Sequence, residues 1–249
     1  MIALRSDREI AKLKAANRMV AEVLQLVKRK ICPGVSTGAL DKLAEDEIIR
    51  QGARPAFKGY AGFPATLCTS INYEIVHGIP SKKRKLKGGD IISIDVGVFL
   101  DGYYGDAAIT VPVGTVSQEA KRLIQVTEES LYKAIECACP GERLYTLSHS
   151  VQKYAEGFGY SVVRDFVGHG IGTELHEPPQ IPNYGKPGTG LVLKAGMVLA
   201  IEPMINVGGY AVQVLADGWT AVTKDRKLSA HFEHTIAITA NGSEILSKL

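Results

Sequence analysis

Leu86-Lys87-Gly88-Gly89-Asp90-Ile91-Ile92-Ser93-Ile94-Asp95 aligns without a gap on Leu193-Lys194-Ala195-Gly196-Met197-Val198-Leu199-Ala200-Ile201-Glu202, 107 positions further along the chain. Each stretch is a turn-forming segment followed by an apolar run of strand type that ends on an acid. The same offset relates Pro33-Gly34 to Pro140-Gly141, Cys32 to Cys139 and Leu40 to Leu147. Each Pro-Gly pair stops a helical run, the first from Glu9 to Lys30 and the second from Ser117 to Ala138. In the first run Ile10, Leu13, Met19, Val23 and Val27 fall at helical spacing. Repeats of about one hundred residues are too long for solenoid units, so the pattern predicts a duplicated α+β unit related by a pseudo-two-fold axis. We expect one domain over residues 1–249, with halves of about 1–110 and 111–249. Such an axis brings Asp95 and Glu202, the acids that end the paired strands, toward a site between the halves.

Those acids are out of place in apolar strands. An ionised carboxylate inside Ile91 to Val98 costs several kcal/mol unless it is paired or bound to a cation. No Lys or Arg stands nearby in these strands to form a buried salt bridge. Asp101-Gly102 is a strong two-residue hairpin signal. Folding back there sets Gly97 opposite Asp106 and Val96 opposite Ala107, which makes Asp95 and Asp106 diagonal neighbours on one face. Glu202 and Glu233, the latter in Phe232-Glu233-His234-Thr235-Ile236, repeat the anomaly. Four carboxylates in one place call for compensating charge, and two divalent ions would balance them. His169, in Gly168-His169-Gly170-Ile171-Gly172, is a candidate imidazole ligand with uncrowded flanks. A nucleotide-binding reading of these glycines fails, since neither the full glycine fingerprint nor a phosphate-binding Lys follows in register. An oxygen-rich set with one imidazole suits manganese, iron or cobalt better than structural zinc.

The bulk properties leave room for this chemistry and exclude others. The 249 residues, 45% hydrophobic, support a sizeable core. A net charge of +3, from 29 basic and 26 acidic residues, lacks the excess of a dedicated nucleic-acid binder. The charged stretch from Met1 to Lys30 offers no secretory or spanning segment, so a cytoplasmic protein is expected, with no membrane partner. The four cysteines, Cys32, Cys68, Cys137 and Cys139, form no C-x-x-C pair and suggest a reducing compartment. Cys137-x-Cys139 is read as incidental.

At these residues the chain resembles the type 1 methionyl aminopeptidases. The match lies in Phe166-Val167-Gly168-His169-Gly170-Ile171-Gly172, in His176-Glu177-Pro178-Pro179-Gln180-Ile181-Pro182-Asn183-Tyr184, and in the ligand order Asp, Asp, His, Glu, Glu over nearly the whole chain. The resemblance implies the pita-bread fold, two pseudo-symmetric halves with an antiparallel sheet and flanking helices, around two divalent ions (cobalt, manganese or iron(II)). It implies that Asp95 holds one ion, that Asp106 and Glu233 bridge both, and that His169 and Glu202 hold the other. It further implies a bridging water as nucleophile, Glu202 as proton shuttle, and an ion that takes the substrate's free amino group. His77 and His176 match the family's two non-ligand histidines, which contact the substrate and the developing oxyanion. Without that register each reads as an ordinary loop histidine; His149, His231 and His234 lack its support, although His234 adjoins the ligand Glu233 and is a candidate to orient it. The methionine pocket falls on Tyr60, Phe63, Cys68, Leu175 and Trp219, for each of which core packing is the alternative. Leu175 stands where an aromatic is frequent, and Tyr73 where an acid is frequent.

Only 33 positions separate His169 from Glu202, too few for the helical insert of type 2 enzymes. Prolidases and their kin are the enzymatic alternative, but they usually carry an additional N-terminal domain. A metal-free binding protein on the same fold is the non-enzymatic one. The implied activity is removal of the initiator methionine from nascent proteins and peptides, favouring a small second residue, by a monomer. Ser81-Lys82-Lys83-Arg84-Lys85-Leu86-Lys87 reads first as a solvated loop, with transient contact to ribosomal RNA phosphates as the alternative.

Overall fold

The computed structural model describes residues 2–249. Its first half contains α1 (Asp7–Lys28), α2 (Thr37–Arg50), β1 (Arg54–Pro55), β2 (Leu67–Ile71), β3 (Glu74–Val76), β4 (Ile91–Leu100) and β5 (Tyr103–Pro112). The second contains α3 (Gln118–Glu136), α4 (Leu144–Gly157), β6 (Ser161–Val162), β7 (Gly168–Gly170), β8 (Glu177–Ile181), β9 (Val198–Ile201), β10 (Met204–Asn206), β11 (Val212–Val214), β12 (Ala221–Thr223), β13 (Ser229–His231), β14 (Glu233–Thr239) and β15 (Gly242–Ile245).

The two helical runs read from sequence are α1 and α3. The Glu9 carboxylate accepts the Ser6 N–H at 2.9 Å where α1 begins, and the Ser117 hydroxyl accepts the Ala120 N–H at 3.1 Å where α3 begins. Both helices end two residues before the boundary expected from periodicity. The reason is shared: the closing turns tighten to three-residue spacing, Lys30 N–H donating to Val27 and Ala138 N–H to Ile135.

The 107-residue offset is repeated in backbone hydrogen bonds. Gly34 donates to Leu86 and Gly141 to Leu193; Leu86 donates back to Val35 and Leu193 to Glu142. The isolated bridges Ser36 with Lys85 and Arg143 with Val192 keep the same offset. Each half therefore ties the start of its second helix to the turn that launches its central strand.

Nine strands form one antiparallel sheet with the path β1-β4-β5-β14-β9-β7-β8, β2 adding to β4 and β15 to β14. Alternation along β4 sends Ile92, Ile94, Val96 and Val98 into a core with Val20, Val23 and Leu24 of α1 and Leu40 of α2. Leu199 and Ile201 of β9 and Ile236 and Ile238 of β14 pack in the same way against Leu123 and Leu131 of α3 and Leu147 of α4. Helices thus cover one face of the curled sheet, and the other face is left for the residues of opposite parity. No helix among the described residues is long and apolar enough to cross a membrane.

Candidate metal centre and its pocket

Strand register gathers the five predicted ligands. Left-handed backbone at Asp101 (φ 49°) and Gly102 (φ 86°) makes the tight turn between β4 and β5, and Gly97 pairs with Asp106 as the hairpin reading requires. Asp95 pairs with Ala108, and Ala108 with Glu233. Thr235 pairs with Ala200, and Ala200 with His169. Paired residues share a face and so do positions two apart, so Asp95, Asp106, Glu233 and His169 stand on the uncovered face, with Glu202 two residues past Ala200. The glycines beside His169 are needed for close strand packing. A Cβ on Gly168 would lie 2.4 Å from the Ala200 carbonyl oxygen, and one on Gly170 2.4 Å from that of Pro178.

Ligand atoms of Asp106, His169 and Glu233 all lie within 4.8 Å of one another. Glu202 Oε1 is 3.6 Å from His169 Nε2. His169 Nδ1 is 2.9 Å from the Gly170 carbonyl, which can only accept, so the ring proton is on Nδ1 and the Nε2 lone pair faces the cluster. Burial lowers the His169 pKa to about 4 and keeps the ring neutral. The carboxyls shift the other way. Burial raises Asp95 to about 7. Burial first, then neighbouring negative charge, pushes Asp106, Glu202 and Glu233 well above the ordinary carboxylate range. Among the described residues no Lys or Arg pairs with any of the four, and the buried oxygens Asp95 Oδ1, Asp106 Oδ1 and Glu233 Oε1 have no hydrogen-bond partner. Unpartnered carboxylate oxygens around a free imidazole lone pair fit divalent cations in donor type and in charge.

Beside this cluster is a cavity of about 270 Å³. It is lined by all five predicted pocket residues, Tyr60, Phe63, Cys68, Leu175 and Trp219, together with His77 and His176. Cys68 reaches it by pairing with Asp95 across β2 and β4. Trp219 stands edge-on to Phe63 with ring centroids 5.1 Å apart. His77 adopts a left-handed backbone (φ 60°), and its ring is edge-on to Phe166 at 5.3 Å; burial lowers its pKa to about 4. His176 stacks edge-on to His169 at 4.3 Å, and its Nδ1 lies 2.7 Å from the Tyr60 hydroxyl. Tyr73 is outside the cavity, beneath the Arg226 guanidinium.

Sequence reading missed several supports. Phe57, Val76, Asp165, Phe166 and Val167 also line the cavity. Asn17 of α1 is fully buried and accepts the Asp106 N–H at 3.2 Å. Arg5 pairs with Glu177, whose carboxylate also accepts the Thr173 and Glu174 N–H groups and so braces the loop that carries His176. His231, set aside as unsupported, lies 3.8 Å from Glu202. Its position two residues before Glu233 was the available signal.

A family model for metallopeptidase family M24 matches residues 11–240. The chain belongs to metallopeptidase family M24. Within M24 it is 55% identical to methionine aminopeptidase 1 of Bacillus subtilis over 249 residues, the full length of both chains. The crystal structure of methionine aminopeptidase from Thermotoga maritima superposes with a TM-score of 0.99 at 50% identity, each chain covered completely. The prolidase of Pyrococcus horikoshii gives a TM-score of 0.80 at 26% identity, with 98% of this chain but only 63% of that one covered. This M24 chain therefore has the pita-bread architecture and is a metallopeptidase. Use of divalent metal follows from the family, and the buried Asp106, His169 and Glu233 offer it donors.

Proposed function

We propose that the chain is a type 1 methionine aminopeptidase, which removes the N-terminal methionine from nascent proteins and peptides and favours a small second residue. The observation that supports this reading is the meeting of four carboxyls, Asp95, Asp106, Glu202 and Glu233, and the His169 imidazole with a cavity of aromatic, aliphatic and sulfur-bearing lining. Full-length identity near one half to methionine aminopeptidases supports it further.

In this reading Asp95, Asp106, His169, Glu202 and Glu233 hold two divalent ions, cobalt, manganese or iron(II). Divalent ions held by these residues would supply Lewis acidity for a water nucleophile and for the scissile carbonyl. Glu202, ionised beside bound ions, would take up a proton and return it to the leaving amine. Tyr60 donates its O–H to His176 Nδ1, which leaves the His176 ring proton on Nε2 to meet negative charge as it develops on the carbonyl oxygen. His77, held neutral by burial, contacts the substrate backbone. Tyr60, Phe63, Cys68, Leu175 and Trp219 receive the methionine side chain. The whole chain acts as one catalytic unit, a cytoplasmic monomer. The exposed Lys82, Lys83, Lys85 and Lys87 form a solvated basic loop that leaves room for a transient contact with ribosomal RNA phosphates.

Met-Ala-Ser and X-Pro dipeptides, offered to protein loaded with Mn(II) or Co(II), separate the readings. Methionine release from the first without cleavage of the second is expected. Cleavage of X-Pro dipeptides with no preference for Met would favour a prolidase-like activity, and no release with any metal would remove the peptidase assignment.

A further inference from the structure

We infer that His231 is a positioning residue for Glu202, its Nε2–H holding Oε2 so that Oε1 stays turned toward His169. The inference rests on the reading of Glu202 as a metal ligand. His231 is 1% exposed, and its Nε2 has no hydrogen-bond partner. That nitrogen lies 3.8 Å from Glu202 Oε2, while Glu202 Oε1 lies 3.6 Å from His169 Nε2. The carboxylate therefore stands between two imidazoles, one oxygen toward each. As a metal ligand Glu202 is ionised and accepts, so the His231 nitrogen that faces it would then carry the ring proton. A buried N–H without an acceptor is costly, and 3.8 Å is too long for a hydrogen bond. Rotation about the broad terminal torsion of Glu202 closes the gap.

The His231 backbone is anchored independently of the metal ligands. Thr110 Oγ1 accepts the His231 N–H at 2.9 Å and donates to the His231 carbonyl at 2.7 Å, and Ser93 shares a hydrogen bond with the same hydroxyl at 2.8 Å. On its other side β13 pairs with β10, Met204 opposite His231, and β10 begins two residues after Glu202. Two strands thus fix the His231 backbone beside Glu202, from which an outer imidazole can set the orientation of a ligand.

The test is calorimetric titration of the metal-free chain with Mn(II) for His231→Leu and His231→Gln, alongside kcat and KM for Met-Ala-Ser at saturating Mn(II). His231→Leu should weaken Mn(II) binding about tenfold and lower kcat about tenfold, with KM nearly unchanged. His231→Gln keeps an N–H donor and should recover both to within about threefold of the parent. Parent-like Mn(II) affinity in His231→Leu, or an equal loss in His231→Gln, overturns the inference. Because a leucine at this buried position can also disturb packing, the same change is made in a Glu202→Gln background. There it should no longer alter Mn(II) affinity, and an additive loss would mean that His231 does not act through Glu202. If Glu202→Gln weakens binding but His231→Leu does not, this inference alone fails; if Glu202→Gln binds Mn(II) like the parent, the ligand reading beneath it fails as well.

Discussion

His176 and Tyr60 illustrate how much of the proposed chemistry depends on single atoms. The phenol lies 2.7 Å from Nδ1 of a ring that itself touches His169. Tyr60→Phe removes the group that selects the ring tautomer and leaves the aromatic wall of the cavity in place. We expect kcat to fall about tenfold, as for other orienting hydrogen bonds, with KM little changed. A loss confined to KM would assign Tyr60 to the pocket wall alone. At this scale the acids were legible because a carboxylate inside an apolar strand is an anomaly that any reader of the chain meets. His169 and Glu233 leaned on the family resemblance. Asn17 was not legible: its partner Asp106 lies 89 positions away, and nothing near Asn17 announces the contact.

The β4–β5 hairpin and the helix on its outer face form the element on which the centre is built. A two-residue turn leaves one possible register, so the pairing of Gly97 with Asp106 could be read from Asp101-Gly102 before the fold was known. The short strands could not. β7 has three residues and β9 four, too few for a period to emerge, and their places are set by partners far along the chain. Close approach of α1 to β5 depends on Gly105, where a Cβ would lie 2.8 Å from both the Ala16 carbonyl carbon and the Asn17 nitrogen. Gly105→Val should therefore push α1 outward, at a cost of about 1–3 kcal/mol. It should also weaken Mn(II) binding, since Asn17 would leave the Asp106 N–H. Denaturant unfolding and metal titration check the two parts, and an unchanged midpoint would show that the helix can shift without cost.

For the whole molecule, the centre gives stability an unusual pH dependence. Metal-free, burial raises the pKa values of Asp95, Asp106, Glu202 and Glu233, so the folded chain keeps protons that the unfolded chain has lost, and these groups destabilise it progressively as pH rises from the unfolded carboxylate range toward their raised values. His77, His169, His176, His231 and His234, whose pKa values desolvation lowers, act in the opposite sense, but only below the unfolded value of about 6.5. From about pH 6.5 to 8.5 the carboxyls act alone. The Tm of the metal-free protein should fall across that window, by roughly 2–4 °C for each kcal/mol lost. With saturating Mn(II) the ions replace the protons, and the decline should vanish or reverse. A metal-free Tm that rises across the window would contradict the account of the cluster. The duplication behind this architecture was legible from the 107-residue offset because turns and strand starts were retained in both halves. The α1 and α3 starts drift from it, Asp7 against Gln118, since a helix packed on a sheet tolerates a change of length at its free end.

A metal ion held by Asp95, Asp106, His169, Glu202 and Glu233 is the requirement on which methionine aminopeptidase activity of this chain rests. Its most direct test is methionine release from Met-Ala-Ser by the metal-free protein as Mn(II) is titrated in, run beside Glu233→Ala. No release is expected without metal, with a rise to saturation as Mn(II) is added, and no release by the variant although its circular dichroism matches the parent. Release that is independent of metal, or release by Glu233→Ala at the parent rate, would contradict it.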